Sequence, residues 1–212
     1  LICSAATGDY HTVATFQALV DAVIPEMLTC SGTLAVHPVP GAVNLFIHEY
    51  LIRDLDLSHT PQSAVESSLS KSTAHLLDRG ADQLIQTGQA VHPLNAGAFP
   101  GGGLFAALSR YDRLRAITLL DRLQTDLQTL PLPYQNNPGL IRVMMNSVNQ
   151  LTLFGYYCEW YGYGTTRLCP PDYRRLECYP PSWGLVGYPG PAFGYRDFRG
   201  FVIRFPNREE VR

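Results

Sequence analysis

The chain has 212 residues, 46% of them apolar and only 16% charged, with a formal net charge of −2. That length suits one domain with a real core, and the near-neutral balance excludes a broad electrostatic grip on nucleic acid or anionic lipid. No run of about 18 apolar residues occurs, so no membrane span is expected; the nearest approach, residues 140–157, is broken by Arg142, Asn146, Asn149 and Gln150.

Helical periodicity dominates up to about residue 155. The first helix is predicted over 12–24, where Phe16, Leu19, Val20 and Val23 recur at i, i+3, i+4 and i+7, and Pro25 stops it. A turn-rich stretch with Ser31-Gly32, Pro38 and Pro40 leads to a second helix over 41–55, with Val43, Ile47, Tyr50, Leu51 and Asp54 on one face. A third helix is predicted over 60–87, with Thr60 as cap, Pro61 in the first turn, Gly88 past the end, and Gly80 as a point of bending. Its apolar stripe is thin.

A loop over 91–103 ends in Gly101-Gly102-Gly103, which lacks the preceding strand and the spacing of a phosphate cradle. Ser109 caps a fourth helix predicted over 111–130, whose stripe is Leu114, Ile117, Leu120, Leu123, Leu127 and Leu130. Asn137 and Pro138 open a fifth over 138–160, with Leu140, Val143, Met144, Ser147, Leu151 and Phe154 facing inward. The expected fold class is therefore mainly α, a bundle-like domain of about five helices spanning 1–154.

Residues 155–212 differ in kind. The stretch 155–206 holds 8 of the 18 glycines, 7 of the 16 prolines, 8 of the 12 tyrosines and both tryptophans. Such a composition predicts an extended or coiled segment, with 201–205 as a short strand or arm. It is too aromatic for a disordered tail. It packs on its own helices or on a partner, making one structural unit with the helical part. Lys71 is the only lysine against 15 arginines, and Arg suits buried or interfacial planar contacts.

Catalysis should leave a nucleophile with its base, a metal set or a cofactor cradle, and none is legible. His48-Glu49 lacks the second histidine of a zinc-protease helix, since Ile52 stands four residues on. His11, His37, His59, His75 and His92 are scattered at no ligand spacing. There is no G-x-S-x-G, dinucleotide fingerprint or C-x-x-C-H. Five cysteines occur: Cys3, Cys30, Cys158, Cys169 and Cys178. Without a C-x2-C pair, structural zinc is not expected. Cys158, Cys169 and Cys178, in a loop-rich segment, are candidates for a disulfide, which would imply an oxidising compartment. The sequence begins at Leu1 rather than Met, so a processed or trimmed N-terminus, with a targeting segment ahead of it, is an open expectation.

Two stretches carry a family likeness. One is Phe16-Gln17-Ala18-Leu19-Val20-Asp21-Ala22-Val23-Ile24-Pro25, followed by Gly41-Ala42-Val43-Asn44-Leu45-Phe46-Ile47. The other is Trp183-Gly184-Leu185-Val186-Gly187-Tyr188-Pro189-Gly190-Pro191. In this order they resemble the gluconate 2-dehydrogenase subunit 3 family. The resemblance implies a small non-catalytic subunit without a cofactor of its own. It would accompany a flavoprotein dehydrogenase large subunit of the glucose-methanol-choline type, which carries FAD and oxidises a sugar or alcohol, with a cytochrome as a further partner in some complexes. It also implies a role in folding, stability or export of that subunit, and a periplasmic, extracellular or cell-surface location. The region 156–179 does not match the family pattern residue by residue.

The residues themselves fit docking. Trp183 and Tyr188 offer rigid aromatic area, Pro189 and Pro191 fix an extended course, and Tyr195 and Arg196 continue in the same style. These six are the partner-interface candidates. Two rivals remain at this level: a surface-assembly protein cross-linked through its Cys/Tyr-rich C-terminal region, and a stand-alone enzyme with a site built from scattered residues such as His48 and Glu49.

Overall fold

A computed structural model describes residues 9–30, 36–58 and 68–190. The architecture is mainly helical, as the periodicity predicts, with a small hairpin and a coil-rich C-terminal segment.

Helix α1 (Tyr10–Val23) is the axis of the bundle. Asp9 caps it by accepting from the Thr12 N–H at 2.8 Å, and the chain leaves it at Ile24 ahead of Pro25. Thr15, Phe16, Ala18, Leu19 and Val20 are all buried, more than one stripe, because helices surround α1 on several sides. Strands β1 (Met27–Cys30) and β2 (Val36–Val39) follow as an antiparallel pair, Met27 opposite Val39. Ser31-Gly32, Pro38 and Pro40 predict only turns over this stretch. Pro38, which stands opposite Leu28, is tolerated because each strand of a two-stranded ribbon is an edge.

The second helix starts later than its pattern suggests. Residues 42–46 form turns, Phe46 takes a left-handed φ of 57°, and α2 spans Ile47–Ser58. Gly41 sets this geometry, since a Cβ there would lie 2.5 Å from the Glu26 nitrogen and 2.8 Å from the Pro25 carbonyl carbon. Helix α3 (Leu69–Gln86) is capped by Ser68; the expected cap Thr60 and Pro61 lie outside the described residues. Gly80 does not bend α3. It lets Leu120 approach, with Cγ 2.8 Å from where a Cβ would stand. Gly88, at φ 67°, follows the end as expected.

After the short α4 (Leu104–Ala107), α5 runs over Arg110–Asp121 with Ser109 as its cap. It does not continue to residue 130. Leu123 turns left-handed at φ 57°, and the Gln124 N–H reaches back to the Leu119 carbonyl. Leu123, Leu127 and Leu130 still pack on the core, but from a loop. Helix α6 (Pro138–Tyr157) is capped by Asn137. Its buried face is Ile141, Met144, Met145, Val148, Thr152 and Tyr156. Of the residues expected inward, Val143 and Phe154 are instead 61% and 63% exposed.

Candidate functional site

The segment after α6 is tied to the helices largely by arginines. It contains two short 3-10 turns, Tyr161–Thr166 and Pro171–Tyr173, and helix α7 (Pro181–Leu185). The Arg167 guanidinium pairs with Glu49 at 2.7 Å and lies 4.0 Å over the Phe46 ring. Arg53 donates to the Leu168 carbonyl at 2.7 Å, and Arg174 donates to the Cys169 carbonyl at 3.0 Å while covering Trp160. Each uses planar N–H donors against carbonyls or rings, contacts an ammonium makes poorly. Trp160 is itself buried and donates from Nε1 to the Phe46 carbonyl at 2.9 Å.

Trp183 does not stand out as a free anchor. It is 3% exposed, donates from Nε1 to the Tyr157 carbonyl at 2.8 Å, and has Tyr179 and Tyr188 edge-on at centroid distances of 5.2 and 4.9 Å. The Tyr179 hydroxyl donates to the Tyr188 carbonyl. Pro181 starts the short helix α7 and Trp183 lies within it, so the motif is helical at its start, while Pro189 lies in coil. The indole fastens α7 to the end of α6. What faces outward is its neighbourhood: Phe154 and Tyr157 on α6, Tyr179, Leu185, Val186 and Tyr188 around α7, and Pro189. Pro191, Tyr195, Arg196 and the expected strand 201–205 lie outside the described residues.

Of the three disulfide candidates, Cys169 is buried and disulfide-bonded, whereas Cys158 and Cys178 carry free thiols. Of the candidates, then, Cys169 alone is bridged, and not to Cys158 or Cys178. Cys158 is held as a thiol by its surroundings. It donates to the Gly155 carbonyl and accepts from the Trp160 N–H, and burial pushes it up to about 11. Cys178 is exposed.

The clusters nearest to catalytic chemistry resolve differently. Ser109, His92 and Asp112 meet at the start of α5, but both contacts to His92 fall on Nδ1, from Ser109 Oγ at 3.2 Å and Asp112 Oδ2 at 3.3 Å. A relay needs the serine and the carboxylate on opposite ring nitrogens. Here Asp112 accepts from the N–H groups of Val91 and His92 and fastens the preceding loop to the helix. His48 is buried, with no partner at Nδ1; burial lowers it to about 4, so it sits neutral. Glu49 faces Arg167. The triple glycine serves packing, not phosphate: a Cβ on Gly102 would strike Ala106, and one on Gly103 would strike the Asp78 carboxylate.

One cluster has almost no signature in the sequence. His11 at the start of α1 and His75 and Asp78 on α3 bring their ligand atoms within 4.8 Å of one another. The available signal was His75-x-x-Asp78, an i, i+3 pair sharing a helix face; the third member comes from 64 residues upstream and has no local signature. Among the described residues no helix is long and apolar enough to cross a membrane. No protein-family model matches the chain, no curated protein matches it, and no solved structure matches its fold.

Proposed function

We propose that this chain is a non-catalytic small subunit of an exported flavin-dependent sugar or alcohol dehydrogenase complex, supporting the folding, stability or export of the FAD-bearing large subunit. The observation that carries the reading is the outward aromatic face at the α6–α7 junction. Phe154, Tyr157, Tyr179, Leu185, Val186 and Tyr188 are each at least 43% exposed around a buried Trp183. Large rings on a pinned backbone lose little entropy on docking, and central ones each contribute about 2 kcal/mol or more to an interface. The kind of partner proposed is the one that the resemblance in the two motif stretches implies. The disulfide at Cys169 supports an oxidising destination.

The test is co-expression of the tagged chain with a flavoprotein dehydrogenase large subunit of the glucose-methanol-choline type. A flavin-coloured complex should elute as one species, and Leu185→Asp combined with Val186→Asp should weaken it at least about 30-fold while leaving the isolated chain's melting unchanged. An isolated chain that remains alone beside the flavoprotein, or a double variant that binds as well as the parent, would overturn the reading. Exposed Cys178 favours one rival, covalent self-assembly, which non-reducing electrophoresis of the purified chain would reveal.

A further inference from the structure

We propose that His11, His75 and Asp78 form a binding site for one divalent late transition-metal ion of the zinc class. The donors are two imidazoles and one carboxylate drawn from two helices. That N2O set suits zinc and its nitrogen-preferring neighbours, whereas calcium and magnesium require oxygen shells. An acidic cluster alone would not discriminate in this way.

The carboxylate is built into place. Asp78 Oδ2 lies 2.6 Å from His11 Nε2, and Asp78 Oδ1 accepts the Phe105 N–H at 2.9 Å. Gly103 leaves room for this carboxylate and for no side chain of its own. A ligating carboxylate whose second oxygen is held by a backbone donor is a recurrent outer-shell arrangement. His11 is partly buried by its own chain, so two of the three donors are already neighbours before any ion arrives.

His75 is the adjustable member. Its ring stacks on His11 at a centroid distance of 4.9 Å and an angle of 21°. Parallel rings cannot both aim a lone pair at one point, so His75 must turn towards the pair, while His11 Nε2 and Asp78 Oδ2, 2.6 Å apart, must part to about 3.3 Å, the spacing of ligands at about 2.0–2.2 Å from a tetrahedral zinc. The His75 side chain is exposed, and no hydrogen bond among the described residues holds its ring, so a change of rotamer closes the set. Beside it lies an open pocket of about 410 Å³ whose lining includes His75, Asp78, Arg79, Asp82, Leu104 and Thr129. That space leaves the fourth coordination position to water or to a small ligand.

Binding at His11 Nε2 replaces its hydrogen bond to Asp78, and the N–H of a metal-bound neutral imidazole then sits on Nδ1. His11 Nδ1 is buried and has no partner. Zinc-bound histidines normally donate that proton to an acceptor, and lack of the outer partner weakens a site about 10–100-fold. The site is therefore an exchangeable one rather than a structural zinc.

The experiment uses the full chain carrying Cys178→Ser, which removes an exposed thiol that would bind zinc on its own, after stripping with a chelator. Zinc chloride is titrated by calorimetry, and the imidazole nitrogens are followed by long-range nitrogen–proton NMR. One equivalent should bind, moving the His11 and His75 ring signals and leaving those of His92 in place. His75→Ala, a surface change that spares the fold, should weaken binding by at least about tenfold. Asp78→Asn should do the same, although it also alters the α4 cap, so His75→Ala is the deciding variant. Binding of equal strength in His75→Ala, shifts centred on His92, or no uptake at all would overturn the site and leave His11–Asp78 as a structural pair at the start of α4. None of these outcomes bears on docking of a flavoprotein at α6–α7.

Discussion

An imidazole that stays neutral inside the fold makes stability fall on mild acidification, and His48 should produce this effect measurably. It is the second residue of α2, and burial drives its pKa from 6.5 to about 4, with Glu49 opposing and Arg167 reinforcing. Its nearest polar neighbour is the Gln17 side-chain nitrogen at 3.5 Å, and Nδ1 has none. Above the free value of 6.5 neither state holds the proton, so the group adds no slope. As pH falls towards about 4 the unfolded chain takes up a proton that the folded chain refuses, and folding is destabilised by up to about 1.4 kcal/mol per pH unit. Across the whole window this amounts to about 3 kcal/mol. The assay is urea unfolding between about pH 7 and pH 4.5 for the parent and for His48→Gln, whose side chain stays neutral throughout. Carboxylates contribute equally to both proteins, so the difference isolates the imidazole. The parent should lose about 2–3 kcal/mol relative to the variant on acidification. A difference that stays constant, or that moves in the parent's favour in acid, would refute the reasoning. It would mean that the folded state accepts the proton on His48 at least as readily as the unfolded chain does.

Two further outcomes follow from close packing and from thiol environment. Gly41→Ala should cost about 3 kcal/mol, because the added Cβ meets the backbone at Ile24, Pro25 and Glu26 and forces apart the Ala42 N–H to Ile24 carbonyl bond of 2.9 Å. Gly184→Ala, with nothing within 4 Å, is the neutral control, both read by thermal unfolding. Thiol labelling with peptide mapping should modify Cys178 without denaturant. Cys158, half-buried and raised to about 11, should react at least about 100-fold more slowly until the protein unfolds, and equal rates would contradict the packing around Trp160.

Local signals read correctly wherever one residue decides a local event. Pro25 ends α1, Ser109 and Asn137 cap their helices, and Gly88 follows α3. They misled where tertiary packing overrides the pattern. The leucines after Asp121 keep a helical period, yet Leu123 turns left-handed and the same side chains reach the core from a loop. On α6 a 3.6-residue stripe drawn through Val143 and Phe154 competes with one through Ile141, Met144, Met145 and Val148. Both are apolar, and only the position of α1, α2 and α5 decides which is buried. The hairpin was hidden by its prolines and its four-residue strands. Trp183 was legible as an important ring, but not the direction it faces, because the Tyr157 carbonyl that accepts its N–H is a backbone group any residue supplies.

The α1 motif acts as scaffold rather than as a reading surface. Phe16, Leu19 and Val20 fill the core, and Asp21 is the hub between α1 and α5. Its carboxylate takes two bonds from Arg110, at 2.9 and 2.8 Å, and one from Arg113 at 3.0 Å. Arg113 is buried and also donates to the carbonyls of Ala18 and Ala106. Removing Asp21 would strand a buried guanidinium, so that motif position answers to stability. Around Trp183 the division runs through a single motif, because the indole is spent on holding α7 while Leu185, Val186 and Tyr188 face out. Changes in the first set must lower stability before they can affect any assembly, whereas changes in the second can remove docking from a fully folded chain. A partner-binding screen that ignored this difference would score Trp183 as a contact residue when its truncation acts through the loss of α7.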